Sequence, residues 1–316
     1  MRLARCGKLA VALIALCSCG AQGTSLSSSG WSSSSSSLAS SPSSASSPSS
    51  ASAERGVAIT KRFPALGDKM TRIVTKAAKK KIDLEGPLGA KKADLTESSS
   101  EERTEECLAV SGTRCTRVKV TYLKATEKSV SKAGDVEEPK LPHAGRTYLV
   151  AIVDGAVVIT DESGRPPEVS ELEMVKRDYK RFDQDGDLLE ALPPRIEVGD
   201  SLDEVARVLA ARFADAEVKP KKLEAKVTAK AVRNEHGRPL VDLEVSIEFD
   251  GLVPKDGPPL SGSISAVVTI RADTGRSHKQ EKSGPLVATL DGNNPGKLTG
   301  KVTIQSSETT TYSYSF

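Results

Sequence analysis

An acidic segment is the part of the sequence whose spacing comes nearest to a metal site. Asp183, Asp185 and Asp187 alternate along the chain, and Glu190 follows them. Alternating carboxylates can surround a hard cation such as calcium, as they do in an EF-hand loop. That loop needs glycine at its sixth position and glutamate at its twelfth, whereas this segment has Gly186 at its fourth and proline at its twelfth. We therefore predict an acidic turn with no metal or other cofactor, and a calcium site is the alternative.

Two other patterns contain the letters of catalytic motifs. Asp273-Thr274-Gly275 matches an aspartic-protease loop, but that dyad needs two such loops and the chain contains one. Ser129 and Lys132 have the Ser-x-x-Lys spacing of penicillin-binding enzymes, without the partner motifs that complete that site. The three histidines lie far apart in the sequence and lack the spacing of metal ligands. These patterns predict no catalytic residue.

Cys107 and Cys115 are the two cysteines that lie beyond the first 19 residues. The segment around them has the pattern of a hairpin that turns at Ser111-Gly112. With a three-residue loop the two cysteines lie opposite each other, where Cβ atoms are about 4.5 to 5.5 Å apart. An oxidising compartment would favour a bond at that separation. We predict a Cys107–Cys115 disulfide, and two buried free thiols are the alternative.

The first residues are organised like an export signal. Arg2 and Arg5 precede an apolar run over residues 9–16, which is too short to span a bilayer, and small residues follow. Leu16-Cys17-Ser18-Cys19 resembles the lipobox of bacterial lipoproteins, in which a leucine three positions before a cysteine directs cleavage and lipidation of that cysteine. Cys17 departs from the Ala, Ser, Thr or Val usual at its position. The resemblance implies a signal peptide at 1–18 and a lipid anchor on Cys19. An ordinary cleaved signal and an uncleaved anchor are the alternatives.

The same resemblance implies a protein of the bacterial cell envelope, anchored to a membrane by lipid. Gly20 lacks the acidic retention signal of some enteric lipoproteins, which favours the outer membrane over the inner membrane. Residues 19–54 are rich in serine after the cysteine, with no apolar pattern that could offset the entropy of ordering. We predict that they form a disordered tether to an envelope domain at 55–316.

The charged residues do not indicate a nucleic-acid partner. The chain has 45 basic and 42 acidic residues, and aromatic residues are 3% of it. A basic cluster lacks the interleaved aromatic side chains on which single-stranded nucleic acids stack. We interpret it as lysines on an exposed strand end or edge, where they prevent edge pairing, with contact to anionic lipid or an acidic polymer as the alternative. The cluster comprises Lys76, Lys79, Lys80, Lys81, Lys91 and Lys92.

A period-two pattern runs through the domain and predicts half-buried antiparallel strands. Apolar residues alternate with polar ones over 118–122, 223–229, 241–249 and 264–270, and again from Val302 to Phe316. Asp-Gly pairs supply the positive φ that tight hairpin turns need. Such pairs occur at Asp154-Gly155, Asp250-Gly251, Asp256-Gly257 and Asp291-Gly292, among others. The chain is therefore predicted to meander.

Two helices are predicted within an insertion at about 168–215. The first covers 168–182 and has an apolar stripe from Val169 through Val175 to Phe182. The second begins at Ser201, which has capping-box spacing to Glu204, and runs to Phe213. The predicted fold class is α+β, a mostly antiparallel curved β-sheet meander with a two-helix insertion.

The sequence favours a non-enzymatic binding or scaffold module. Its expected partners are the membrane, through the lipid anchor, and a hydrophobic ligand such as a lipid, an envelope protein or an envelope polymer. A secreted hydrolase whose site is assembled from distant residues is the alternative. Converging carboxylates or a Ser–His pair in a pocket would favour the enzyme, and an open apolar groove would favour the binder.

Overall fold

The computed structural model of the protein describes residues 56–87, 89–180, 182, 187–213, 220–252, 258–292 and 298–316. The predicted signal peptide, lipid anchor Cys19 and serine tether lie outside the described residues. So do Asp183 and Asp185 of the calcium alternative and the Asp256-Gly257 turn.

Strands make up most of the described chain. They are β1 (Gly56–Ala58), β2 (Lys69–Glu85), β3 (Lys91–Ser111), β4 (Arg114–Ser131), β5 (Val136–Glu137), β6 (Thr147–Val153), β7 (Ala156–Asp161), β8 (Arg195–Glu197), β9 (Lys222–Glu235), β10 (Arg238–Leu252), β11 (Leu260–Arg271), β12 (Ser277–Asp291) and β13 (Thr299–Ser315). The helices are α1 (Val169–Asp178), α2 (Asp187–Ala191) and α3 (Asp203–Phe213).

Within the described ranges, eleven strands form one antiparallel sheet in the order β7-β6-β4-β3-β2-β13-β12-β11-β10-β9, with β5 paired to β4. Most strands pair with their neighbours in sequence, which confirms the predicted antiparallel sheet. β4 also pairs with β6, beyond the two-residue β5, and in the central pair β2 from the start of the domain lies beside β13 from its end. β1 and β8 form a separate two-stranded sheet.

The predicted alternation of buried and exposed side chains is confirmed in β4, β9, β10 and β11. Val118, Val120 and Tyr122 are buried in β4, and Val241, Leu243 and Val245 are buried in β10, with exposed or partly exposed residues between them. Hydrophobic burial on one face of the sheet therefore determines which residues point inward.

Two separate hydrophobic cores cover the two ends of the same sheet face. The large core lies on β9 to β13 and is covered by α3 and β8. The small core joins β4, β6 and β7 to α1. β2 pairs with both β3 and β13 without a register shift, so its even-numbered side chains share one face. Ala78 of that face belongs to the large core, and Arg72 lies opposite Arg103, next to the small core.

The predicted helical insertion is confirmed in outline, but the number and the length of its helices differ from the prediction. The described chain has three helices, and α1 ends at Asp178 instead of continuing to residue 182. Tyr179 and Phe182 are still buried in the small core, whereas Val169 of the predicted stripe is 73% exposed. At the second helix, Leu202 accepts the first helical hydrogen bond, from the Ala206 N–H, so the helix begins one residue later than a capping box at Ser201 requires. Ser201 instead forms a β-bridge with Thr228, and its hydroxyl donates to the Asp203 carboxylate. None of these helices has the length and hydrophobicity to cross a membrane.

Cys107 and Cys115 form the predicted disulfide, with their Cα atoms 6.0 Å apart. The predicted register is wrong, because Cys107 pairs with Val118 and the turn lies between Ser111 and Arg114. Register shifts between Cys107 and Val110 produce a bulge, which changes the pairing of the β3 residues that follow. The bond therefore joins cysteines that are not direct cross-strand partners.

The Asp-Gly pairs serve two different purposes. Asp154-Gly155 forms the turn between β6 and β7, with both residues at positive φ. Asp250-Gly251 lies inside β10 at a register shift, so the prediction of a hairpin turn there is wrong. A positive φ at Gly251 suits a bulge as well as a turn.

Candidate functional site

The candidate site is a cleft between the two cores, on the face of the sheet that both cores share. It has a volume of about 140 Å³ and is lined by β2, β3, β4, β11, β12 and β13, by α1 and by the loop that contains His143. We call it the central cleft. Its apolar lining includes Val74, Ala78, Ala125, Leu141, Met174 and Ile264.

Small residues form the floor of the central cleft. Ala78, Ser306 and Gly284 are register partners on β2, β13 and β12. A Cβ added to Gly284 would overlap the Ser263 carbonyl oxygen on β11, so only glycine fits between these strands. Because none of these side chains is large, the floor lies lower than the cores on either side.

A row of charged and polar side chains crosses five neighbouring strands beside this floor. We call it the charged row, and its members are Glu127, Ser99, Lys76, Glu308 and Lys282, each the register partner of the next. The Glu308 Oε1 atom lies 2.9 Å from the Lys282 Nζ, and its Oε2 lies 3.4 Å from the Lys76 Nζ. Glu308 is 8% exposed, and two cations offset the cost of burying its charge.

A buried ion pair lies on the other side of the floor. The Lys80 side chain has no exposed surface, and its Nζ donates to Glu97 on β3. Lys76 and Lys80 share the even parity of Val74, Ala78 and Ile82, so both point to the core face. Lys79 and Lys81 are exposed on strand positions of the opposite parity. The interpretation of this cluster as edge protection is wrong for β2, which lies in the middle of the sheet and is paired on both sides, whereas Lys91 and Lys92 are exposed at the strand end where β3 begins.

The C-terminal end of α1 forms one wall of the central cleft. Asp178 accepts hydrogen bonds from the Arg103 Nη1 at 2.9 Å and from the Tyr122 hydroxyl at 2.8 Å. Burial alone would raise the pKa of Asp178, but the charges of Arg103 and Arg177 and the Tyr122 hydrogen bond together lower it. Burial and the nearby Asp178 charge raise the pKa of Tyr122, so its hydroxyl remains a donor. The helix is therefore attached to β3 and β4 by a buried polar cluster.

His143 completes this wall and is 2% exposed. Its ring meets the ring of Tyr122 edge to face, with centroids 4.6 Å apart, and its Nε2 lies 3.7 Å from the Glu101 Oε2. Its Nδ1 has no hydrogen-bond partner among the described residues. No described hydroxyl or thiol is hydrogen-bonded to His143, so the nucleophile–histidine pair expected of a serine hydrolase is not found in this part of the chain.

The residues singled out from the sequence lie elsewhere. Asp187 is in α2 and its Oδ1 accepts from Arg114 at 2.6 Å, while the described residues contain no group of three side chains that could hold a metal. Asp273 pairs with Arg271 in the turn between β11 and β12. The charged row was not predicted from the sequence, although the shared parity of Lys76, Lys80 and the apolar residues of β2 places both lysines on the core face.

No protein-family model matches the chain, and no curated protein sequence does. A solved structure titled for lipid–protein interactions in lipovitellin is 7% identical over 79% of this chain, with a TM-score of 0.42. This chain spans about a quarter of the lipovitellin chain, since the match covers 25% of it.

Two bacterial structures also match. A DUF1329 family protein from Desulfovibrio piger is 9% identical over 79% of this chain and 85% of its own, with a TM-score of 0.14. DynF, from the dynemicin biosynthesis pathway of Micromonospora chersina, is 10% identical over 81% of this chain and 85% of its own, with a TM-score of 0.14. TM-scores below 0.5 at such identities carry no argument, so the residues of the central cleft must support any functional conclusion.

Proposed function

We propose that this protein is a binding module of the bacterial cell envelope that holds an amphipathic or hydrophobic molecule in its central cleft. In this proposal Cys19 carries lipid in the outer membrane, residues 19–54 are the tether, and the sheet curves around the bound molecule. The lipobox resemblance supports the lipid anchor and the location in the envelope, and the central cleft supports the binding of a ligand.

One observation carries the binding proposal. Two hydrophobic cores cover the ends of one sheet face, and the floor between them is built from Ala78, Ser306 and Gly284. A sheet face in the middle of a domain normally receives large apolar side chains that pack against a covering element. Here the floor residues are small, and apolar residues of the lining, including Met174 and Ile264, surround a hollow.

The size of the hollow limits what it can enclose. A cavity of about 150 Å³ in another protein binds one benzene molecule, so this cleft encloses a group of similar size or a short alkyl segment. A longer molecule would be enclosed only in part. The polar groups around the floor would then lie beside its more polar end, as in other ligand sites that combine apolar walls with a few polar contacts.

The hydrolase alternative has weaker support. Carboxylates do converge on the cleft, but Glu97, Glu308 and Asp178 are each paired with a lysine or an arginine. Paired carboxylates of this kind hold strands and helices together. A steady turnover of ester or amide substrates that is lost in a His143→Ala variant would support the alternative.

Filling the cleft tests the binding proposal. Nile red, a neutral apolar dye, should become fluorescent with the full mature chain, and Ser306→Met should reduce this signal at least several-fold because its side chain occupies the floor. Gln305→Met is the matched control, since residue 305 is exposed on the other face of β13. Equal dye binding by the two variants, or no binding by the parent, would refute a ligand site in the cleft.

The lipid anchor and the outer-membrane location are tested separately. Radiolabelled palmitate should be incorporated into the parent protein expressed in a lipoprotein-processing bacterium, and Cys19→Ala should abolish both labelling and recovery in the outer-membrane fraction. Cys17→Ala should keep both, because it restores a residue that is usual in the lipobox. Release of the parent as an unlabelled soluble protein would show an ordinary cleaved signal.

A further inference from the structure

We infer that the molecule held in the central cleft carries a protonated amine, which lies beside Glu127 and His143. This inference rests on the proposed binding function and specifies the polar end of the ligand. It follows from which charges of the cleft already have partners and which do not.

The cations that line the cleft are paired within the protein. Lys76 and Lys282 both contact Glu308, at 3.4 and 2.9 Å, and the Arg177 Nε lies 4.0 Å from Asp178. An anionic ligand would have to compete with these carboxylates for its cations. It would also approach the buried charge of Glu308, which repels it.

Glu127 differs from the other lining carboxylates. It belongs to the charged row and lies opposite Ser99, and it forms no ion pair with any described residue. Ser99 is uncharged and therefore does not neutralise the Glu127 carboxylate. A cation that entered the cleft would find a carboxylate whose charge has no partner in the described protein.

His143 supplies an independent reason to expect a donor. Its Nε2 faces the Glu101 carboxylate, which favours the tautomer with the hydrogen on Nε2 and the lone pair on Nδ1. That Nδ1 has no hydrogen-bond partner among the described residues, although the side chain is 3% exposed. A buried acceptor without a donor is unfavourable, and an ammonium group brings donors and positive charge together.

The test compares three ligands with the same tail. Decylamine, decanol and decanoate are titrated below their micellar concentrations, at neutral pH, against Nile red bound to the full mature chain. We expect decylamine to displace the dye at about one fifth of the concentration needed for decanol, as a partly exposed ion pair would give. Decanoate should be the weakest competitor of the three.

Two variants test whether Glu127 causes the preference for decylamine over decanol. Glu127→Gln should abolish the difference between decylamine and decanol, whereas Glu102→Gln should retain it, because Glu102 pairs with Lys124 and does not line the cleft. Decanoate that competes as well as decylamine would overturn the inference and leave the binding proposal intact. A preference for decylamine over decanol that remains in the Glu127→Gln variant would also overturn the inference. Failure of all three ligands to displace the dye would overturn both.

Discussion

Arg103 of β3 and Asp178 at the end of α1 form an ion pair, with 2.9 Å between Nη1 and Oδ2, at a position where the side chains are 1% and 8% exposed. The Arg103 guanidinium also lies over the ring of Tyr179, 5.0 Å from its centroid. The pair joins the helix to the middle of the sheet and closes one side of the central cleft. A buried pair of this kind holds a specific arrangement, whatever its net contribution to stability.

Removing one partner of this pair should be costly. Asp178→Ala leaves the buried Arg103 without its nearest carboxylate on α1, and we expect the free energy of unfolding to fall by about 3 kcal/mol. Urea denaturation followed by circular dichroism measures the change. The double variant Arg103→Met with Asp178→Leu should recover part of the loss, because neither charge of this pair is then left without the other, although Glu105 loses its contact with Arg103. A loss in the double variant equal to the sum of the single losses would contradict this account.

The same carboxyl makes stability depend on pH. The pKa of Asp178 is lower in the folded chain than its usual value near 4. Its contribution is therefore complete above the unfolded pKa and is lost as the pH falls through the lowered folded pKa. In acid the parent should lose stability more steeply than Asp178→Asn does. Parallel pH profiles for the two proteins, from thermal melts between neutral pH and pH about 2, would show that this carboxyl is not the cause.

The disulfide should stabilise the domain only modestly. Eight positions separate Cys107 and Cys115, and the chain-entropy model gives so short a ring about 2 to 2.5 kcal/mol at most. Reduction should lower the urea midpoint without unfolding the domain, and Cys107→Ser should resemble Cys115→Ser. Thiol labelling of the denatured, unreduced mature protein is the direct check. Free reaction of both cysteines would contradict the bond or the oxidising compartment.

Gly284 should tolerate no larger residue. The Cβ of Gly284→Ala would overlap the backbone of β11, and relief of that overlap should cost about 1 to 3 kcal/mol and reduce dye binding. Ser265→Ala, at an exposed position of β11 that does not line the cleft, is the control and should change neither. Equal urea midpoints for both variants would mean that β11 and β12 move apart without cost.

The strands of the large core could be predicted because burial of one sheet face requires an apolar residue at every second position of their sequence. Val241 to Phe249 alternates without interruption, and the structure buries each apolar residue of that series. β3 could not be recognised in the same way. Its inward residues include Glu97, Ser99 and Glu101, so its sequence has no apolar period, and its position is determined by pairing with β2 and β4. Ladder hydrogen bonds do not depend on side-chain type.

The site was harder to predict than the fold. The partners Lys76, Glu308 and Lys282 come from three separate parts of the chain, and the register that joins them depends on β2 lying beside β13. No local pattern specifies that pairing. The disulfide was predictable because both cysteines belong to one hairpin, but the bulge between Cys107 and Val110 was not, since its sequence has no glycine or proline to mark it.

The pairing of β2 with β13 has a consequence for how the domain is made. During synthesis from the N-terminus, β2 emerges early, and the strand that must lie beside it emerges only after β3 to β12. Until then one edge of β2 has no partner, and the two halves of the sheet can form but cannot join. Closing so long a loop is slow, which places the joining of the halves late in folding. During that interval the lysines of β2 would discourage other chains from pairing with its open edge.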